Sequence, residues 1–156
     1  MVNLESNYVF IDGANLHKGI GELGWDLDYV RFRRWLTEKF QTSKAFIFMG
    51  FRAENRNLYN YLRQAGFVII FKQIIYEEGG KLKSNCDSEL VLRVIVDYYE
   101  KRFNKAVLIT SDGDFACLAT FLLNKKALRI IIAPNNKKCS FLIRKIQGPP
   151  AVFERV

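Results

Sequence analysis

The sequence predicts an α/β fold in which a mainly parallel sheet is flanked by helices. Two observations support this prediction. Short apolar runs rich in β-branched and aromatic residues alternate along the chain with longer amphipathic segments. The chain has 156 residues, 49% of them apolar, which suits one domain with a substantial core. Because such alternation is typical of a parallel sheet closed by right-handed crossovers, we expect a single domain over residues 1–156.

Five apolar runs have the length and composition of strands that are buried on both faces. They are residues 8–11, 45–49, 67–71, 106–109 and 128–132. Their apolar character is continuous rather than alternating, which favours strands covered by helices on both sides of the sheet.

Amphipathic segments between these runs predict the helices. They are residues 28–40, 53–65, 87–100 and 115–125. Gly66 directly follows the second of them and is expected to end it as a C-cap. A last short helix is expected over residues 140–146, stopped by Gly148-Pro149-Pro150, with residues 151–153 lying extended along the domain.

Residues 72–86 break this alternation. Their sequence places Glu78-Gly79-Gly80 between two short runs that contain apolar residues, which predicts a small hairpin near residues 72–84. We expect the hairpin to extend beyond the sheet on one side.

The charge balance favours an anionic partner. The chain has 24 Lys and Arg against 16 Asp and Glu, a formal net charge of +8. An excess of this size on a small domain favours nucleic acid first, although a lysine-rich, well-hydrated surface has the same balance.

Several other classes of protein are disfavoured. The longest apolar stretches, residues 45–51 and 66–71, are much shorter than the ~18 residues of a membrane-spanning helix, so we expect no membrane association. The first residues do not have the pattern of a signal peptide. Three widely spaced cysteines fit neither a zinc ribbon nor a disulfide framework, so a reducing cytoplasm is the expected location.

Four aspartates follow strands or open a helix in the predicted fold. Asp12 ends the first strand, Asp112 and Asp114 follow the fourth, and Asp87 opens the helix that leads to the fourth. In a parallel sheet the carboxyl ends of the strands and the amino ends of the helices meet at one edge. We therefore expect the four carboxylates to converge where such folds bind ligands.

Converging carboxylates need compensation. Two like charges ~4 Å apart cost about 4 kcal/mol at an effective dielectric of ~20. A hard divalent cation such as Mg²⁺ or Mn²⁺ supplies this compensation, lowers the pKa of a bound water and holds a phosphate oxygen. The simpler alternatives are an N-cap at Asp87 and ordinary turns at Asp12-Gly13 and Asp112-Gly113.

Neighbouring polar residues are candidates for supporting roles. Asn15, one helical step past Asp12, can orient a water or contact the scissile phosphate, or it can simply cap the helix. Ser111 and Thr110 can add hydroxyl contacts around a metal, although capping is an alternative for Ser111.

Basic residues near the same edge are candidate phosphate contacts. Arg52 and Arg56 follow the second strand, and a guanidinium matches the geometry of a phosphate. Lys81 and Lys83 precede Asp87 and can hold the phosphate backbone, or they can be ordinary surface lysines.

Two further features do not predict a function. Residues 19–24 match GxGxxG literally, but no strand directly precedes them, as a dinucleotide-binding loop requires. His17 is the single histidine of the chain, and one histidine alone cannot form a zinc site.

Three blocks of sequence together resemble the NYN domain family, with the LabA/DUF88 group, in the PIN-like nuclease superfamily. They are YVFIDGANL at residues 8–16, NCDSELVL at residues 85–92 and SDGDF at residues 111–115, and the resemblance covers roughly residues 7–147. It implies a three-layer α/β/α sandwich with a five-stranded parallel sheet of order 3-2-1-4-5.

The resemblance also implies a ribonuclease site that depends on Mg²⁺ or Mn²⁺. By matching position, the acidic set would be Asp12, Asp87, Asp112 and Asp114, with Asn15 as its polar companion. Relatives often have Lys-Gly-Asn before the middle aspartate, where this chain has Lys83-Ser84-Asn85.

We therefore predict a metal-dependent endoribonuclease that cleaves single-stranded or looped RNA, with Arg52, Arg56 and Lys83 holding the strand. One alternative is a regulatory module that binds RNA or a protein on the same rim without turnover. Another is a phosphatase or nucleotidase, which a deep closed pocket would favour. A homodimer, in which two rims lengthen the groove, is plausible.

Overall fold

The computed structural model describes residues 5–72, 75–76, 78–80, 82–83 and 86–147. The strands are β1 (Asn7–Asp12), β2 (Thr42–Gly50), β3 (Val68–Lys72), β4 (Ile75–Tyr76), β5 (Leu82–Lys83), β6 (Ala106–Ile109) and β7 (Leu128–Ile132). The helices are α1 (Gly13–Glu22), α2 (Tyr29–Phe40), α3 (Arg56–Gln64), α4 (Asp87–Tyr99), α5 (Ala116–Asn124) and α6 (Phe141–Gln147). Short 3-10 turns cover Ala53–Asn55, Gly113–Phe115 and Asn136–Lys138.

The main sheet has five strands in the order β3-β2-β1-β6-β7, all parallel. This is the expected order 3-2-1-4-5 when only the strands of this sheet are counted, so the predicted fold class is confirmed. In the central strand β1, Ile11 lies between Ile47 of β2 and Ile109 of β6. The chain builds outward from β1 in both directions, and the order of the strands therefore reverses between β1 and β6. In open parallel sheets this switch point is where ligands bind.

Side chains of β1 alternate between two apolar cores. Phe10 packs in a core formed with α4, α5 and α6, whereas Ile11 packs in a core formed with α1, α2 and α3. Both side chains are fully buried. The helices therefore form one layer on each side of the sheet, which gives the three-layer sandwich and explains why the strands are apolar throughout.

Helix α1 is not among the amphipathic segments predicted from the sequence, because its three glycines obscure its apolar pattern. Gly19 and Gly21 lie inside the helix, so the GxGxxG match is not a strand-to-helix loop. A Cβ at Gly19 would lie 2.6 Å from the Cβ of Pro134. The missing side chain therefore lets α1 approach the segment after β7 closely.

Two other helix ends have local causes. Gly66 adopts a φ of +103° just after α3, as expected of a C-cap glycine. Helix α6 begins at Phe141, one residue later than expected. Ser140 lies just before it, and its hydroxyl accepts a hydrogen bond from the backbone N–H of Leu142 at 3.2 Å. The predicted helix stop at residues 148–150 and the extended segment at residues 151–153 lie outside the described residues.

The predicted hairpin is present as the antiparallel pair β4 and β5. Gly79 and Gly80 have φ values of +96° and +79° at its turn, a conformation that glycine adopts without strain.

In the part of the chain that the structure describes, none of the helices combines the length and apolar character needed to cross a bilayer.

Candidate metal centre

Three carboxylates meet at the switch point of the sheet. Asp12 is the last residue of β1, Asp112 follows β6, and Asp87 is the first residue of α4. One carboxylate oxygen from each lies within 4.8 Å of the other two, and all three side chains are half-buried. The structure thus brings together residues 12, 87 and 112, which are far apart in the sequence, as the topology predicts.

Asp87 does not serve as the N-cap of α4. The capping position is occupied by Cys86, which makes no side-chain hydrogen bond to the helix, and Asp87 is already helical. The simpler explanation of Asp87 as an N-cap is therefore not what the structure shows.

Asp114 is placed differently from the other three aspartates. Its side chain is exposed and is not among the carboxylates that lie within 4.8 Å of one another. The backbone N–H of Asp114 donates to Oδ1 of Asp112 at 2.9 Å. Asp114 and Asp87 both line an apolar cleft beside α4. Of the four aspartates predicted to converge, Asp12, Asp87 and Asp112 are therefore grouped, and Asp114 lies beside the group.

The environment of Asp12 disfavours its negative charge. The pKa of the Asp12 carboxyl is raised from 3.8 to about 6, first by burial and also by the charges of Asp87 and Asp112. Hydrogen bonds from the Asn15 backbone and the Thr110 hydroxyl act in the opposite direction and lower the pKa. The net effect is that the folded protein disfavours the ionised form of Asp12.

Thr110 links Asp12 to Asp112. Its hydroxyl donates to Oδ2 of Asp12 at 3.2 Å and accepts from the backbone N–H of Asp112 at 3.1 Å. Thr110 is buried and its own backbone N–H donates to the carbonyl of Ile132. This bridge fixes the end of β1 relative to the segment after β6.

Asn15 and Ser111 form a second link. The side-chain oxygen of Asn15 accepts from the backbone N–H and from the hydroxyl of Ser111, both at 2.9 Å. The helix cap at this end is made by Asp12, whose carboxylate accepts from the Asn15 backbone N–H at 3.2 Å. Asn15 therefore holds the loop that precedes Asp112, and its side chain does not cap α1.

Lys72 and Glu89 extend the polar site, and neither is among the residues predicted from the sequence. Nζ of Lys72 lies 3.7 Å from Oε1 of Glu89, while Oε2 of Glu89 is buried without a hydrogen-bond partner among the described residues. Burial raises the pKa of the neighbouring Cys86 thiol to about 11; the charge of Glu89 raises it too, and that of Lys72 lowers it. Lys72 ends β3, so the rule that located Asp12 could have found it.

A polar cleft of about 760 Å³ opens beside Asp112. It lies between α1 and the segment after β7, and Lys18 and Lys138 line it with exposed side chains. Nδ2 of Asn135 donates to Oε2 of Glu22 at 3.1 Å across this cleft. The two lysines are separated by 120 positions in the sequence, and only the packing of α1 reveals that they face one cleft.

The basic residues predicted to contact phosphate are spread more widely than the grouped carboxylates. Arg52 is exposed and lines a second cavity, whose wall includes Gly13. Arg56 is the exposed first residue of α3. Lys83 lies in β5 opposite Ile75, and its side chain is outside what the structure describes. Lys81 also lies outside the described residues.

Comparison with known proteins identifies a family and a shared fold. The family model of the NYN domain matches residues 7–146. No curated protein matches the sequence significantly. The chain is similar to VPA0982 of Vibrio parahaemolyticus RIMD 2210633, a protein of unknown function, with a TM-score of 0.79 and 17% identity over 99% of this chain and 96% of that one. It is also similar to the T5 D15 protein, co-crystallised with metal ions, with a TM-score of 0.48 and 16% identity over 81% of this chain and 54% of that one. The likeness to the Vibrio protein confirms the fold.

Proposed function

The chain belongs to the NYN domain family, part of the PIN-like superfamily, and on this premise we propose that it is a metal-dependent ribonuclease. The proposed reaction is hydrolysis of phosphodiester bonds within single-stranded or looped RNA. The observation that carries the proposal is the meeting of Asp12, Asp87 and Asp112 within 4.8 Å at the switch point of a chain whose net charge is +8.

The residues present fit a hard divalent cation. Every donor in the group is a carboxylate oxygen, the ligand type that Mg²⁺ and Mn²⁺ prefer. The pKa of Asp12 is raised first by burial and then by its acidic neighbours, so ionising this carboxyl in the folded protein costs free energy. A bound cation would offset that cost. Asp12, Asp87 and Asp112 would hold the ion, which when bound activates water and neutralises phosphate charge.

The surrounding residues keep the three carboxylates in place. Thr110 ties Asp12 to the backbone of Asp112, and Asn15 ties α1 to Ser111. These hydrogen bonds orient the ligands before a cation arrives, which lowers the cost of forming the site. In this proposal Asn15 and Ser111 are positioning residues.

The basic residues would hold the RNA backbone. Lys18 and Lys138 face the cleft beside Asp112, where they can contact the phosphates next to the one that is cleaved. Arg52, Arg56 and Lys83 are proposed to continue this path along the rim. A single strand suits such a rim because its bases and backbone are both accessible, unlike those of an A-form duplex.

The direct test is RNA cleavage in the presence of Mg²⁺ or Mn²⁺. Wild type should cleave a single-stranded RNA and lose activity in EDTA, and Asp12→Asn should be inactive with either ion. Asp26→Asn is the matched control because Asp26 is exposed and lies outside the acidic group. Equal activity of wild type and Asp12→Asn would remove the mechanism.

Tight RNA binding with no cleavage under any divalent cation would instead identify the regulatory module that the sequence leaves open. The proposed setting of the enzyme is the cytoplasm. Homodimerisation stays a prediction, which sedimentation analysis of the purified protein would test.

A further inference from the structure

A second cavity, of about 460 Å³, lies on the other side of α1 from the lysine-lined cleft. It is bounded by α1, the end of β2, the segment after β2 and α3, and its volume is within the range of small-molecule sites. Gly13, which directly follows Asp12, forms part of its wall. The cavity therefore begins within one residue of the acidic group.

The inner wall of this cavity is apolar and includes an aromatic ring. Leu16, Ile47 and Leu62 form buried parts of the wall. Tyr29 also lines it, and the Tyr29 ring is held edge-on against neighbouring rings, with a centroid distance of 6.0 Å to Tyr61. A fixed aromatic ring among aliphatic side chains suits a flat, apolar face such as that of a nucleobase.

The mouth of the cavity is polar. Arg52, Glu54 and Asn55 lie there on the segment that follows β2. The hydroxyl of Tyr59 fixes this segment, since it accepts from the backbone N–H of Arg52 at 2.8 Å and donates to the carbonyl of Gly50 at 3.5 Å. The backbone of this segment is thus held in place, and Arg52, Glu54 and Asn55 carry hydrogen-bond donors and acceptors that suit a base edge.

The two spaces beside α1 differ in chemistry. The cleft with Lys18 and Lys138 is polar and suits sugar and phosphate, whereas the cavity with Tyr29 is apolar inside and polar at its mouth. We propose that the second cavity binds one nucleobase of the RNA strand and so selects the base next to the cleaved phosphate. This inference rests on the proposed ribonuclease function for the position of the strand.

The test measures nucleoside binding without metal, so it does not depend on catalysis. Wild type in EDTA is titrated with adenosine, cytidine, guanosine and uridine, and backbone amide shifts are followed by NMR. We expect the four nucleosides to differ in affinity, with shifts centred on Gly13 and on residues 50–55. Leu58 lines the cavity from α3 and is 38% exposed, so Leu58→Trp should fill it and weaken binding by about tenfold or more.

Leu123→Trp is the matched control, since Leu123 is exposed on α5 and does not line the cavity. A second variant, Glu54→Gln, tests the cavity independently in case Leu58→Trp does not fold. Glu54→Gln changes an exposed group at the mouth and should alter the order of preference among the nucleosides, whereas Glu38→Gln, on exposed surface of α2, should not.

The possible outcomes separate this proposal from the ribonuclease function. Equal binding of all four nucleosides, or binding that neither Leu58→Trp nor Glu54→Gln changes, would overturn the base pocket even if RNA is cleaved. Selective nucleoside binding by a protein that cleaves no RNA would support the pocket and overturn the enzyme. If both hold, Leu58→Trp should also shift the cleavage sites on an RNA of mixed sequence.

Discussion

The side-chain oxygen of Asn15 accepts two hydrogen bonds from Ser111, one from the backbone N–H and one from the hydroxyl, each 2.9 Å long. Asn15 lies on α1 three residues after Asp12, and Ser111 directly precedes Asp112. The pair therefore connects the two elements that carry two of the grouped carboxylates. Because the amide oxygen already has two donors, its role is to fix distance and orientation.

Replacement of Asn15 by alanine should damage the site and the fold together. Asn15→Ala leaves the buried donors of Ser111 without their acceptor, which should lower the free energy of unfolding by about 1 to 3 kcal/mol. RNA cleavage should fall by about tenfold or more because the Asp112 loop is less well placed. Urea denaturation and cleavage rates measure the two effects.

Ser111→Ala is the informative comparison, since it removes only the hydroxyl donor and keeps the backbone N–H. We expect about half of the loss in stability and a smaller loss in activity. A larger effect of Ser111→Ala than of Asn15→Ala would contradict the positioning role and would indicate that the Ser111 hydroxyl acts on substrate or metal directly.

The raised pKa of Asp12, caused first by burial, predicts a specific pH dependence of stability. In the unfolded chain the carboxyl titrates near 3.8 and in the fold near 6, so between these pH values the folded protein binds more protons. Its free energy of unfolding without metal should therefore fall as pH rises from about 4 to about 6, by about 1 to 3 kcal/mol from this group.

The contribution of Asp12 is isolated by subtraction, because other carboxyl groups titrate in the same range. Asp12→Asn keeps an oxygen that can accept from the Asn15 backbone N–H and removes the charge, so above pH 6 it should be more stable than metal-free wild type. Denaturation of both proteins in EDTA at several pH values gives the difference. If the free energy of unfolding varies with pH in the same way in both proteins, the charge of Asp12 does not destabilise the fold.

Divalent cations should stabilise the protein through three aspartates and not a fourth. Mn²⁺ or Mg²⁺ at about 100 times its Kd should raise the free energy of unfolding of wild type by about 3 kcal/mol. Asp87→Asn and Asp112→Asn should lose most of this stabilisation, whereas Asp114→Asn should keep it, because the Asp114 side chain is exposed outside the group.

Calorimetric titration with Mn²⁺ measures the affinity of each variant directly. The backbone hydrogen bond from Asp114 to Asp112 persists in Asp114→Asn, so this variant tests the side chain alone. If Asp114→Asn weakens binding as much as Asp87→Asn does, the bound state includes a fourth carboxylate.

The sequence predicts those features that follow from periodicity and topology. The apolar runs locate the strands of the main sheet, and the rule that carboxyl ends of parallel strands share an edge brings Asp12 and Asp112 together. Asp97 lies towards the far end of α4, away from this edge, where it is buried and paired with Arg93 and Arg102. Helix α1 was not predicted as an element because glycines that serve packing look like helix breakers in a sequence.

Features that depend on how elements pack are not visible in the sequence. Whether Asp114 points with Asp112 or away from it depends on the 3-10 turn between them and α5, which no spacing rule predicts. Lys18 and Lys138 share a cleft only because Gly19 lets α1 lie against Pro134. Such pairs become candidates only after the tertiary structure is known.

The lysine-lined cleft makes a final prediction about RNA affinity and its dependence on salt. In an Asp12→Asn background, which separates binding from cleavage, Lys18→Gln and Lys138→Gln should each weaken binding of a single-stranded RNA. If each lysine contacts one phosphate, the slope of log K against log salt should become shallower by about 0.7 for each replacement, since fewer counterions are released. Lys44→Gln is the control, because Lys44 is exposed near the start of β2, at the opposite edge of the sheet. Filter binding over a range of KCl concentrations gives the slopes. Equal slopes for all three variants would place the RNA backbone outside this cleft.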